Sequence, residues 1–301
     1  MKKMNILLTL LATIVSAGCE QEFKIVDTDG ENRIYIEFLP STLSDWHELT
    51  VIGAKSINNG AQNDISSYDI KVRLTADGEE VTLEKDNTYR ATYMAYHHFE
   101  PGQTISIEAE AKGYSKAYAQ CIIPEPVKEF STKVEKGEDY PDEIKVTIEY
   151  PDNPETKDMY GAVMVQEEWN EAQMTGFIDA VNLQMSYNVF DESAYRTMTL
   201  RGKKIAYWND AQVTENGRQK ITLSFSGVKN GPDVTYRFKV LMLKTSADFY
   251  RYFDGQWDKE SNILASMGLA SPTFTFTNIT DGLGILGSLS HTESEWMENP
   301  L

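Results

Sequence analysis

Alternation of apolar and polar positions is the strongest periodic signal along the chain. Ile34, Ile36 and Phe38 share one face, as do Tyr68, Ile70, Val72 and Leu74, with Asp69, Lys71 and Arg73 opposite. Ile105, Ile107, Ala109 and Ala111 alternate with Thr104, Ser106, Glu108 and Glu110. A period of two puts one face of a strand in a core and the other in water. Asn59-Gly60, Asp77-Gly78, Pro101-Gly102 and Lys112-Gly113 punctuate these runs as turn signals. The pattern predicts an Ig-like antiparallel β-sandwich over 33–124.

Pro124-Glu125-Pro126 ends it, because neither proline donates a ladder hydrogen bond. A second set follows: Ile144, Val146, Ile148 and Tyr150, then Ile221, Leu223 and Phe225, then the longer run Thr235 to Leu243. The fold class expected is mainly β, with two Ig-like sandwiches in tandem. The second, 125–290, carries an inserted excursion and one amphipathic helix, and 291–301 is a tail. Between Trp169 and Arg201 neither period dominates, which predicts a long excursion with some helix. The clear helix is at about 247–267. Ser246 is its N-cap, Asp248 sits in its first turn, and Phe249, Tyr252, Phe253 and Trp257 form its stripe. Gly268 fits its stop.

The amino terminus supplies an address. Lys2 and Lys3 precede an apolar run from Ile6 to Val15, then Ser16, Ala17, Gly18 and Cys19. Ten helical residues rise about 15 Å, half a bilayer core, so the segment is a secretory signal rather than a span. The ending resembles the lipobox of bacterial lipoproteins, with Ser16 where an aliphatic residue is usual. That implies a signal peptide over 1–18 and an acylated Cys19 starting a linker, 19–32. Several acyl chains at about 0.8 kcal/mol per buried CH₂ anchor a protein firmly. Glu20 and Glu22 resemble a surface-export tag of Bacteroidetes lipoproteins.

Composition narrows the partners. The 28 basic against 46 acidic residues give a net charge of −18. Such a surface repels phosphate backbones and excludes nucleic acid as a partner. The 41% hydrophobic content suits packed cores. Two cysteines make neither a disulfide scaffold nor a thiolate zinc site, and Cys121 reads as a buried free thiol.

Candidate chemistry is sparse. His97 and His98 are adjacent, so on a strand they point to opposite faces and do not share a metal. No Gly-x-Ser-x-Gly elbow accompanies His47, His97, His98 or His291, and no phosphate loop or zinc helix is present. Asp27 to Asn32 fails the calcium-loop spacing. No catalytic residue, metal or cofactor is assigned. Trp169 beside Glu167, Glu168 and Glu171 pairs a stacking ring with acids, as in sugar binding, or is a buried ring amid solvated charge. Trp169, Tyr93 and Tyr96 are the candidate ligand contacts.

The stretch from Ser271-Pro272 through Phe274, Phe276, Asn278-Ile279, Asp281-Gly282-Leu283-Gly284-Ile285-Leu286-Gly287 resembles a family signature. It is the closing signature of the Bacteroidetes lipoproteins catalogued as domain of unknown function 4249. Here Leu286 replaces the usual Phe and Asp281 a common Gly. The Ser246 to Tyr252 helix start and the Pro101-Gly102 to Pro124 stretch are similar to other family segments. Physically, Phe274 and Phe276 place a last strand in a core, and Gly282, Gly284 and Gly287 allow sharp turns or close approach. Asn278 fixes a turn through its amide. This is a folding signature, without nucleophile, base or ligand. The resemblance implies a non-enzymatic, lipid-anchored outer-membrane lipoprotein facing the cell surface, acting with a TonB-dependent barrel by binding ligand or capping its mouth. The alternatives are a structural or adhesive, fimbria-like surface lipoprotein, favoured by an exposed apolar edge strand, and a glycosidase, which needs two carboxylates about 5–9 Å apart.

Overall fold

The structure is a computed structural model describing residues 32–54, 70–85, 92–153, 155–181, 184–185, 195–200, 203–209, 217–261 and 276–301. Cys19, its leader and the linker through residue 31 lie outside the described residues.

The first sandwich grows from the alternating runs. β1 (Arg33–Phe38), β2 (Trp46–Ala54), β6 (Thr92–Tyr96) and β5 (Leu83–Lys85) lie in that order in one sheet. β4 (Glu79–Glu80), β3 (Lys71–Ala76), β7 (Thr104–Glu110) and β8 (Ala117–Ile122) form the other. In chain order these are A-B-E-D facing C-F-G, the Ig arrangement, with β4 added beside C. Ile34, Ile36, Phe38 and Leu49 from one sheet meet Leu74, Ile105 and Ile107 from the other in a fully buried core. Asp77 and Gly78 turn β3 into β4 at positive φ.

The second sandwich repeats the order. β9 (Ser131–Lys136), β10 (Glu143–Pro151), β16 (Arg218–Ser226) and β13 (Gln184–Met185) supply A-B-E-D. β11 (Met159–Asn170), β17 (Val234–Thr245) and β19 (Leu289–Glu293) supply C-F-G. β15 (Lys203–Asn209) and β14 (Tyr195–Leu200) widen that sheet beyond β11; β12 (Thr175–Val181) pairs with β11 and β20 (Met297–Glu298) with β17. Ile144, Val146, Ile148, Leu223, Phe225, Phe238 and Val240 fill the core. The strand order establishes a mainly β protein of two Ig-like sandwiches.

Several expectations are corrected. In the 169–201 excursion the described residues hold strands, while 182–183, 186–194 and 201 lie outside the described residues. The expected Phe274–Phe276 strand falls outside the described residues except for Phe276, which is in no strand. A strand follows, as β18 (Gly282–Leu286), and it joins the first sandwich, pairing parallel with β1 from Ile34↔Gly282 to Phe38↔Leu286. The segment 291–301 does not trail away, since β20 lies within it and Met297 and Leu301 pack on the second core.

The chain therefore leaves the second sandwich after strand F, runs through helix α1 (Ala247–Ser261), adds β18 to the first sandwich, and returns as strand G. Ser246 caps α1: its Oγ accepts from Phe249 N at 3.3 Å and from Ser288 N at 3.1 Å. Phe249 is buried with Val163, Tyr207 and Leu243 on the outer face of the wide sheet. Ser288 Oγ donates to Ile122 O, and Thr292 Oγ1 to Val127 O. The inserted segment is a strap across both domains.

Candidate functional site

On the outer face of the first sandwich, β2 puts His47, Leu49 and Val51 inward and Trp46, Glu48 and Thr50 outward. β1 does the same with Glu37 beside Thr50 in register. The strap lays Phe253 and Leu289 along this face, and a groove of about 470 Å³ remains between them. Leu39, Leu43, Trp46 and Phe253 form its apolar walls, and Glu37 and Glu48 are its ionisable groups. Glu37 and Glu48 are diagonal neighbours across the β1–β2 ladder, which sets their Cβ atoms on the order of 7 Å apart. No lining residue is basic.

The second domain orients one of these acids. Tyr35 OH donates to Glu37 Oε2, and Tyr252 OH of α1 lies 3.1 Å from Tyr35 OH. With the Tyr35 proton on Glu37, the Tyr252 hydroxyl is the donor in that second bond. Burial, reinforced by the Glu37 carboxylate, pushes the Tyr35 phenol far above its ordinary range.

The loop carrying Leu43 and Trp46 is latched at both ends. Thr42 Oγ1 accepts from His291 N at 3.0 Å and lies 2.6 Å from His291 Nδ1, a second hydrogen bond whose direction follows the imidazole tautomer. Asp45 Oδ1 is 2.8 Å from His98 Nδ1, and Asp45 O accepts from His97 N. Burial holds His291 below the usual imidazole value despite nearby Glu293.

Tyr96 stands opposite Trp46 in register, both rings exposed on the groove side of the sheet, at 55% and 48%. Tyr93 points elsewhere: it packs on the core and donates to Ile70 O at 3.1 Å. Trp169 is far along the second sandwich, on the β11–β12 hairpin, so the structure does not bring the three aromatics together. Asn278 clamps the strap, donating to Asp248 Oδ2 and Leu286 O and accepting from Leu286 N, each at 2.9 Å. Gly282 and Gly284 meet the β1 backbone and Gly287 the backbone of Phe249. Trp46, Glu37 and Glu48 went unnoticed in the sequence. The signal was there: an aromatic ring at a polar-phase position of an alternating strand.

The other histidines hold no common site. His47 is buried between Phe38 and Phe99, with ring centroids 6.3 and 4.8 Å away. His97 lies against Phe99, and His98 reaches Asp45. No cluster of three or more metal-type side chains occurs among the described residues. Cys121 is buried, which pushes its thiol up to about 12 and leaves little thiolate at neutral pH.

A polar network plugs one end of the second core. Trp208 Nε1 donates to Tyr150 OH at 2.6 Å, Tyr150 OH to Gln219 Oε1 at 2.5 Å, and Gln219 Nε2 to Asp152 Oδ2 at 2.8 Å. Tyr160 OH donates to Asp152 Oδ1. With every member bonded, the network fixes the packing of that end of the sandwich rather than offering a vacancy.

No family model matches the chain. No curated protein matches it either. Among solved structures, the collagen adhesin (CNA) from S. aureus is similar at a TM-score of 0.21 and 7% identity, over 88% of this chain and 94% of that one.

Proposed function

We propose that the chain is a lipid-anchored outer-membrane accessory of a TonB-dependent transporter, of the lipoprotein family named above, that captures a ligand in the groove without transforming it. Cys19 is the tether and the sandwiches face the cell surface. The observation that carries the reading is the groove itself. It joins exposed Trp46, which has Tyr96 opposite it on the next strand, to two carboxylates, and it is completed by a strap from the other domain. Acids without a basic neighbour reject phosphorylated or carboxylated ligands. A flat apolar face against Trp46 with hydroxyl or ammonium groups toward Glu37 and Glu48 fits; a sugar ring and an organic cation share that chemistry.

The test is deletion of the gene, followed by uptake across a nutrient panel and purification of the detergent-solubilised lipoprotein. The reading expects one uptake defect and a co-purifying barrel. Unchanged uptake with no barrel attached overturns it. Turnover of an oligosaccharide by the purified protein, abolished in Glu48→Gln, would replace capture by glycoside hydrolysis. The adhesive reading is favoured by one observation, the exposed Phe177 and Ile178 of β12, a strand that among the described residues pairs only with β11.

A further inference from the structure

β11 outlasts the core it belongs to. Its inward residues Tyr160, Ala162 and Met164 are buried, yet the next inward positions are Gln166 and Glu168, so the strand runs on past the sandwich. β12 pairs with this extension from Met164↔Val181 to Asn170↔Thr175, and β17 flanks it as far as Asn170↔Val234. The turn is built: Met174 takes a φ of 53° and Gln173 N donates to Asn170 Oδ1 at 3.0 Å. Trp169 lies across Gly176, where a Cβ would stand 3.0 Å from its ring. A stiff hairpin results, and it exposes apolar side chains on both faces. Phe177, in the row of Glu168, is 66% exposed; Ile178, in the row of Glu167, is 58%; Met174 at the tip is 75%.

We propose that this hairpin is a docking finger for a second protein, whose apolar cleft closes over both faces and is rimmed by Lys or Arg. Two opposed apolar faces call for a cleft, since a flat partner would leave one of them in water. Charge selects the rim. Glu167 is paired with Arg237 and Glu168 bonds Tyr236, while exposed Glu171 stands at the finger's turn and the whole chain carries −18. A second copy and an anionic lipid surface are both repelled by that field. Among the described residues β12 pairs only with β11, and its edge bears one acid and neither Lys nor Pro, the usual guards of a bare edge. A strand of the partner adds there.

The experiment uses the full mature chain and defined probes: an immobilised peptide alternating Lys with Val, its Glu–Val twin, and phosphatidylglycerol vesicles. Retention of the Lys–Val peptide is expected, at least tenfold weaker in the double variant Phe177→Ser, Ile178→Ser, whose fold is checked by circular dichroism. Trp46→Ala retains it unchanged, which separates failure of the finger from failure of the groove. Equal retention of the Glu–Val peptide, retention of neither, binding to vesicles instead, or a dimer that the double variant dissolves overturns the proposal.

Discussion

Gly284 lies so close to Ile36 that a Cβ on the glycine would stand 2.0 Å from the Ile36 carbonyl oxygen, and its φ is +97°. Both facts forbid a side chain where the strap enters the first sandwich. Gly284→Ala is therefore expected to destabilise the protein by about 3 kcal/mol or more. Gly113, at φ +83° with nothing within 4 Å, carries only the backbone penalty. Gly113→Ala should cost about 1–2 kcal/mol. Urea midpoints of the two variants measure the difference, and equal midpoints would remove the steric argument.

Asn278 makes a second, chemically different requirement. Asn278→Ala leaves the Leu286 amide and carbonyl without their partner, an expected loss of about 1–3 kcal/mol. Asn278→Asp still accepts from Leu286 N but turns a carboxylate toward Leu286 O and Asp248. It should be the worse variant at neutral pH and recover as acid protonates the new side chain. Thermal melts at neutral and acid pH distinguish the two.

The alternation made β1, β7, β10 and β16 legible, because each has one face on a core. Ser246 and Asp248 marked the start of α1 for equally local reasons. The partner of β18 was not legible: the strap closes contacts such as Thr42 with His291, 249 positions apart, and no short-range pattern encodes a parallel pairing of that span. The hairpin misled for another reason. Phe177 and Ile178 are consecutive apolar residues on a strand exposed on both sides, so the period of two that marks a half-buried strand is missing. The groove exists only where β1, β2 and the strap meet, so Glu37 and Glu48 read in isolation as ordinary solvent-facing positions.

His291 gives the latch a pH dependence. Its folded value is depressed, so above the ordinary imidazole range neither folded nor unfolded chain binds its proton and nothing is lost. Below about pH 6.5 the unfolded chain takes up a proton that the folded chain resists. Stability should therefore fall as pH drops through that value. Denaturation midpoints for the wild type should decline more steeply there than for His291→Gln; parallel curves would show that His291 is not the group responsible.

Removing the shared hydroxyl from the buried network is also predictive. Tyr150→Phe takes the acceptor from Trp208 Nε1 and the donor from Gln219 while leaving the ring packed at a tilt, 4.8 Å from the Tyr160 ring. The expected cost is about 1–3 kcal/mol, with tryptophan fluorescence altered at the same denaturant concentration as the far-ultraviolet signal. A neutral substitution would mean that water replaces the hydroxyl.

Capture in the groove is the claim on which the functional account turns. The direct measurement is transport of the nutrient whose uptake the gene deletion impairs, by cells carrying the chain with Trp46→Ala and Glu48→Gln, after confirming that the variant is anchored in the outer membrane as proposed. The account predicts that the variant is anchored and folded yet transports no better than the deletion strain. Transport at the wild-type rate by that anchored variant would contradict it.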